Sequence, residues 1–110
     1  MSLPPRIMKS GKGMGRWKSQ KHRDFVRQHA CCHCGSTAAI EVAHVRLGSG
    51  AGISQKPDDW RTVSLCKLCH QRQHNIGEVT FWRGTDVEAL IDAFCKASPR
   101  AREIREARNG

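Results

Sequence analysis

Two Cys-x-x-Cys pairs constrain this chain more than any other feature of its sequence. Cys31 and Cys34 form the first pair, and Cys66 and Cys69 form the second. Each such turn presents two thiolates to one ion, and two turns complete the tetrahedral coordination that zinc prefers. A four-thiolate site has no open position, so the pattern predicts a structural zinc that holds the fold together.

Two further cysteines are distinguished from the ligands by spacing. Cys32 is adjacent to Cys31, but the x-x spacing to Cys34 selects Cys31 as the ligand. Cys95 falls close to the apolar face of a later helical pattern, which predicts a buried thiol that binds no metal.

The size and composition of the chain indicate why a metal would be needed. With 110 residues, of which 38% are hydrophobic and 5% aromatic, the sequence predicts one domain with a thin core. Such chains usually need a metal or disulfides for stability. No long apolar stretch indicates a secretory signal or a membrane span, so we expect a cytoplasmic protein with reduced thiols, which favours zinc over disulfides.

The net charge of +9 is concentrated near the N-terminus. Residues 1–30 contain eight basic residues and one acidic residue, whereas the rest of the chain contains 11 basic and nine acidic residues. We expect a flexible basic arm over residues 1–16 and a single domain over residues 17–110. A basic arm is typical of proteins that bind a phosphate backbone, which favours a nucleic-acid partner over a merely solubilising tail.

The periodicity of apolar residues predicts a small α+β fold. Strands are expected over 39–45 and 61–65, separated by a glycine-rich loop over 47–59. A helix should begin inside the second cysteine pair and end at Gly77. Further helices are expected from Ser19 to about Ala30, after a Thr85–Glu88 capping box, and from Ser98-Pro99 to about Arg108.

Three histidines lie beside the cysteine pairs in the predicted fold. His70 and His74 are four residues apart on one helix, so their side chains point to the same side and could share one metal ion. Taken alone, the pair is better explained as two polar side chains that face solvent. Because His44 lies on the neighbouring strand, the three together predict a shared functional site.

The order of these elements resembles a known family. A strand ending in His44, a loop, a second strand and Cys66-x-x-Cys69-His70-x-x-x-His74 opening a helix are similar to the HNH (ββα-metal) endonucleases. The first cysteine pair resembles the zinc-stapled branch of that family. The segment from Ala43 to Leu47 and the Lys56-Pro57-x-Asp59 segment resemble small phage and prophage HNH proteins, including prophage nucleases and a phage recombination-enhancement nuclease. The resemblance covers about residues 31–77.

The resemblance implies a role for each matching residue. His44 would be the general base that activates water, His70 a ligand of a catalytic divalent metal, and His74 a further ligand. That metal could be Mg²⁺, Mn²⁺, Ni²⁺ or Zn²⁺, and nitrogen ligands suit a transition metal. The implied activity is metal-dependent hydrolysis of phosphodiester bonds in DNA.

The sequence departs from the family pattern at two positions. Many members have Asp or His as a metal ligand where this chain has Ala43, and the expected Asn is missing near Arg61. Asp59 is the candidate for the role of that Asn, and Glu41 is a weaker one because strand alternation turns it away from His44. Alternatively, His44 could bind the metal with His70 and His74, and another group would then be the base.

Four basic residues on or beside the motif are candidates for phosphate contacts. We see no element that would read bases, so low sequence specificity is expected.

An alternative function is a zinc-dependent DNA-binding module that keeps the fold but does not cleave. Recombination or packaging proteins of a phage or its host are candidate partners. The four candidate phosphate-binding residues are Arg46, Lys56, Arg61 and Arg72.

Overall fold

A two-stranded antiparallel sheet lies at the centre of the molecule, surrounded by helices. The computed structural model describes residues 16–50 and 56–109. Most of the predicted basic arm, and part of the glycine-rich loop, fall outside these residues. The strands and helices are α1 (Gln20–Arg27), β1 (Ile40–His44), β2 (Thr62–Cys66), α2 (Lys67–Ile76), α3 (Glu78–Phe81), α4 (Val87–Ala97) and α5 (Ala101–Asn109). The prediction of a small α+β fold is confirmed.

The sheet register places the first cysteine of the second pair beside the start of β1. Ile40 pairs with Cys66, and His44 pairs with Thr62 at the other end of the hairpin. Because α2 begins directly after Cys66, the helix starts at the same end of the hairpin as Ile40. This succession of two strands and a helix is the part of the fold that carries the cysteines and histidines.

Strand β2 is buried along its whole length. It packs against α1, α2 and α4, so both of its faces are covered. Its two buried hydroxyl groups each donate a hydrogen bond to a backbone carbonyl, so neither is buried without a partner. Thr62 Oγ1 donates to the Asp59 carbonyl at 2.8 Å, and Ser64 Oγ donates to the Ala30 carbonyl at 2.7 Å. The second bond ties the strand to the segment that leads into the first cysteine pair.

Helix α2 ends where the sequence predicts. Gly77 has a φ of 85°, which a residue without a Cβ adopts with little strain. The short helix α3 follows at once and was not predicted. It is held by the buried Trp82 indole, whose Nε1 donates to Gln73 Oε1 at 2.9 Å.

The observed start agrees with the prediction for α1 and differs from it for α4 and α5. Ser19 caps α1 as expected, since its Oγ accepts from the His22 amide. The prediction of a Thr85–Glu88 capping box is wrong: the Asp86 carboxylate caps α4 by accepting from the Ala89 amide, and the Glu88 carboxylate pairs with Arg61. Helix α5 begins at Ala101, later than the predicted start.

We expect truncation of the two leucines of the β2–α2 region to change the free energy of unfolding by very different amounts. Leu65 is fully buried, so Leu65→Ala should lower the free energy of unfolding by about 2–5 kcal/mol through lost burial and a residual cavity. Leu68 is 76% exposed, and Leu68→Ala should change it by less than about 0.5 kcal/mol. Urea unfolding would measure both, and equal effects would contradict the assigned burial.

Candidate functional site

The four predicted zinc ligands converge at one end of the hairpin. The Sγ atoms of Cys31, Cys34, Cys66 and Cys69 all lie within 4.8 Å of one another. Cys31 and Cys34 come from the loop after α1, whereas Cys66 ends β2 and Cys69 lies in the first turn of α2. Two segments far apart in the sequence therefore supply one sulfur cluster.

The dimensions of this cluster are compatible with a structural zinc ion. Zinc–sulfur bonds of about 2.3 Å in a tetrahedron place the sulfurs about 3.8 Å apart. The Sγ atoms of Cys34 and Cys66 are 3.7 Å apart. Cys32 is absent from the cluster and its Sγ lies 3.4 Å from Ser64 Oγ, which agrees with the choice of Cys31.

The electrostatics of the sulfurs also suit a bound dication. Burial alone would raise the pKa of Cys31, but hydrogen bonds from the backbone of Cys34, Cys66 and His33 lower that pKa to about 6. The pKa of Cys69 is raised, first by burial and then by the neighbouring sulfurs. Thiols this crowded resist ionising together, and a dication at their centre would remove that penalty.

We predict that one zinc ion per chain co-purifies with the protein. Cys69→Ser should lose the metal and lower the melting temperature, since a structural site of this kind contributes directly to folding. Metal analysis and thermal unfolding would measure both effects. Cys32→Ser is the matched control and should retain the zinc; loss of zinc from this control alone would contradict the assignment.

The three predicted site histidines line one cleft of about 700 Å³ next to the hairpin. His44 is at the end of β1, while His70 and His74 lie on the facing side of α2. The structure thus brings all three to one concave surface, although they are up to 30 positions apart in the sequence. The other lining residues are Arg23, Arg27, Ile40, Glu41, Val42, Arg46, Lys56, Pro57 and Glu78.

His44 is oriented by a buried carboxylate. Its Nε2 donates a hydrogen bond to Asp59 Oδ1 at 2.8 Å, because a carboxylate can only accept. The other ring nitrogen, Nδ1, is then the basic one. Burial lowers the pKa of His44 below the usual 6.5, and the opposing effect of Asp59 is too small to reverse this shift. His44 is therefore neutral at pH 7.

Asp59 is only 1% exposed and is surrounded by donors. Arg16 Nη1 lies 2.6 Å from Oδ1, and the Ser19 amide and Arg23 Nε lie 2.9 Å and 3.2 Å from Oδ2. Burial alone would raise the pKa of Asp59, but the hydrogen bonds from His44, Ser19 and Arg16 outweigh it, and the pKa is lowered. The carboxylate stays charged while it holds His44.

The two histidines of α2 are arranged as a pair. Their ring centroids are 4.9 Å apart, and His70 Nδ1 donates to Glu41 Oε1 at 2.8 Å. With Nδ1 bonded to a carboxylate, Nε2 of His70 is the nitrogen that could bind a metal ion, and this arrangement is common around metal-bound histidines. Strand alternation predicts that Glu41 and His44 point to opposite faces of β1. Both nevertheless line the same cleft, and α2 starts beside the end of β1 that carries Glu41.

The cleft and the cysteine cluster differ in how closely their potential metal-ligand atoms lie together. Within residues 16–50 and 56–109, the four cysteines form the only group of three or more His, Cys, Asp or Glu side chains whose ligand atoms gather this closely. His44 donates to Asp59 and does not gather with His70 and His74. Within the cleft, His70 and His74 are the neighbouring histidines that could share a metal ion.

The four predicted phosphate contacts lie in different places. Arg46 and Lys56 line the cleft. Arg61 is buried and its guanidinium donates to Glu88, to the Val45 carbonyl at 3.2 Å and to the Leu47 carbonyl at 2.7 Å. The structure therefore gives Arg61 a structural role instead of a phosphate contact. Arg72 is exposed on α2, outside the cleft lining.

Sequence reasoning missed several residues of the cleft. Arg23 and Arg27 come from α1, which lies outside the motif, and only their spacing of four residues could have indicated a shared face. Glu78 was missed with α3; its carboxylate accepts from the Arg46 and Leu47 amides at 3.0 Å and 2.9 Å. It fixes the loop that follows His44.

Ala43 lies in the core and not in the cleft. It is fully buried and pairs with Val63 across the hairpin. Ala43, which the sequence resemblance aligns with a metal ligand of many HNH proteins, thus contributes to packing in this chain.

Comparison with family models identifies one family. The model described as "Protein of unknown function (DUF968)" matches residues 3–94. The chain belongs to this family. The match includes all four clustered cysteines and the three cleft histidines, so the site described above lies within the part shared with the DUF968 family. Searches of curated proteins and of solved structures found no significant match.

Within the described residues of this DUF968 protein, helices that are both long and apolar enough to cross a bilayer are absent.

We predict that Asp59→Asn lowers the pKa of His44 further. The carboxylate raises that pKa through its hydrogen bond and its charge, and Asn removes the charge while leaving Arg16 in place. Titration of the imidazole by NMR would measure the shift. Asp58→Asn is the matched control, because Asp58 accepts from the Trp17 amide and does not contact His44. A raised pKa in Asp59→Asn would contradict the described geometry.

Proposed function

We propose that this protein is a metal-dependent endonuclease of the HNH type that hydrolyses phosphodiester bonds in DNA. One observation carries the proposal: a neutral histidine, held through Nε2 by a buried carboxylate, lines a cleft with basic residues and a histidine pair. The succession of β1, β2 and α2 between two cysteine pairs supports it. A phage or prophage origin remains part of this proposal and rests on the sequence resemblance.

His44 is the general base in the proposed reaction. Its Nδ1 takes a proton from a water molecule, whose oxygen attacks the phosphorus as the bond to the leaving oxygen breaks. Asp59 does not take that proton; its charge stabilises the imidazolium that forms and keeps the ring oriented. A histidine near neutral pKa is suited to this transfer, which typically contributes about 10²–10⁴-fold in rate.

His70 and His74 would hold the catalytic metal. Their ring spacing of 4.9 Å and the hydrogen bond from His70 to Glu41 fit two ligands on one side of an ion. When bound, a divalent ion neutralises charge that develops on the phosphate oxygens and on the leaving group. Two protein ligands leave several positions open, in contrast to the closed cysteine cluster.

Arg46 and Lys56 are the proposed contacts to the DNA backbone from the sequence-predicted set. Both line the cleft that contains His44, so phosphates bound to them would lie near the base. Backbone contacts position DNA without reading its sequence, which agrees with the low specificity expected.

A second candidate function is DNA binding without cleavage on the same fold. Two observations favour it. Ala43 is buried where many HNH proteins have a ligand, and the cleft histidines do not gather as the cysteines do. Both features weaken the catalytic metal site while leaving the basic cleft and the zinc cluster intact.

We predict that the protein nicks supercoiled plasmid in at least one of Mg²⁺, Mn²⁺, Ni²⁺ and Zn²⁺. His44→Ala should lower the rate by about 10²–10⁴-fold, because it removes the general base. Gel electrophoresis of the plasmid at fixed times would measure the rate for each metal.

His29→Ala is the control for this experiment, since His29 lies outside the cleft lining. It should nick at the wild-type rate. Nicking that survives His44→Ala would disprove the role of His44. Salt-sensitive DNA binding without nicking in any of the four metals would select the non-catalytic alternative.

A further inference from the structure

One wall of the cleft is formed by α1, which lies outside the sequence motif. Arg23 and Arg27 are one helical turn apart on this helix, and both line the cleft that holds His44. Arg46 follows β1 and Lys56 precedes β2, so the basic side chains of the cleft come from two separate regions of the chain. Basic side chains from both regions therefore line the same cleft as the three histidines.

The acidic residues of the cleft are already engaged by other groups. Glu41 accepts from His70, and the two oxygens of Glu78 accept from the Arg46 and Leu47 amides. Their charges are therefore directed at partners within the protein. The arginines of α1 remain the groups on this wall that could bind an anion.

Arg27 is the more accessible of the two arginines. Its Nη1 lies 2.8 Å from Asp24 Oδ1, and both side chains are about half exposed, at 46% and 52%. An exposed ion pair of this kind is worth little, so a phosphate can replace Asp24 at low cost.

Arg23 is held in one orientation by three groups. Its Nε lies 3.2 Å from Asp59 Oδ2 and 3.4 Å from the Ser19 carbonyl, and its Nη2 donates to Gln20 Oε1 at 2.8 Å. A guanidinium has five N–H donors, so these contacts do not use all of them. Among the described residues, no partner is seen for its Nη1. Arg23 and His44 therefore share Asp59 as a common anchor.

We propose that Arg23 and Arg27 form a phosphate-binding site for the backbone of a nucleic acid, and that Arg23 positions the bound phosphate relative to His44. The inference rests on the proposed function and deepens it. Because one buried carboxylate contacts both Arg23 and His44, a phosphate on the free side of Arg23 lies at a fixed distance from the base. Arg23 is a positioning residue, and Arg27 adds affinity.

The phosphate contact is tested by binding alone. Labelled DNA is titrated in increasing salt with zinc-loaded full-length protein carrying His44→Ala, so that bound DNA is not cut. Adding Arg27→Gln or Arg23→Gln should weaken binding and reduce the slope of log affinity against log salt by about 0.9 for each lost contact. Arg105→Gln, an equal charge change on the exposed face of α5, should change the slope much less.

Arg23→Lys tests positioning in the cleavage-competent protein. Lysine keeps the charge but cannot hold Asp59 and a phosphate at once in the geometry of a guanidinium. We expect kcat to fall at least tenfold with KM changed less than twofold. Thermal unfolding of each variant shows whether it still folds. If the Arg23 variants do not fold, the salt dependence of DNA binding by Arg27→Gln decides whether the phosphate contact exists.

The outcomes separate this inference from the proposed function. Equal salt slopes for the Arg23, Arg27 and Arg105 variants would overturn the phosphate site even if the protein cleaves DNA. Reduced slopes without any cleavage would support the phosphate site and overturn both the positioning role and the nuclease. Absence of DNA binding by the parent protein would overturn all three.

Discussion

The convergence of four cysteine sulfurs is the constraint on which the remaining structure depends. It joins the loop after α1 to the junction of β2 and α2, two segments more than 30 residues apart. A chain with so few aromatic residues has little core with which to fix such a junction. The cluster lies at the end of the hairpin where Cys66 pairs with Ile40 and α2 begins, close to the contact between His70 and Glu41.

A second anchor, Asp59, connects the cleft to the N-terminal part of the chain. The carboxylate is buried, and it contacts Arg16, Ser19 and Arg23 as well as His44. Desolvating a carboxylate is costly unless several donors surround it, so this residue requires α1 to be docked. The orientation of His44 is thus linked to a helix that the motif does not include.

The two sites have opposite coordination properties, and this division supports the proposed function. The cysteine cluster offers four ligands and no open position, which is suited to a structural ion. The cleft contains a histidine pair, a third histidine held separately by Asp59, and basic side chains, which in the proposed function leaves room for water and phosphate. A buried alanine at position 43 gives the cleft fewer ligands than the resemblance implied.

The sequence alone determined the local features of this protein: the spacing of the cysteine ligands, the two strands, the end of α2 at Gly77 and the placement of His70 and His74 on one side of a helix. These depend on spacing and periodicity, which are local properties of the chain. Only the tertiary structure decided that Asp59 holds His44, that Arg61 pairs with Glu88, and that α1 lines the cleft. Those contacts join residues far apart in the sequence, and burial decides which charged groups are paired internally and which can meet a ligand.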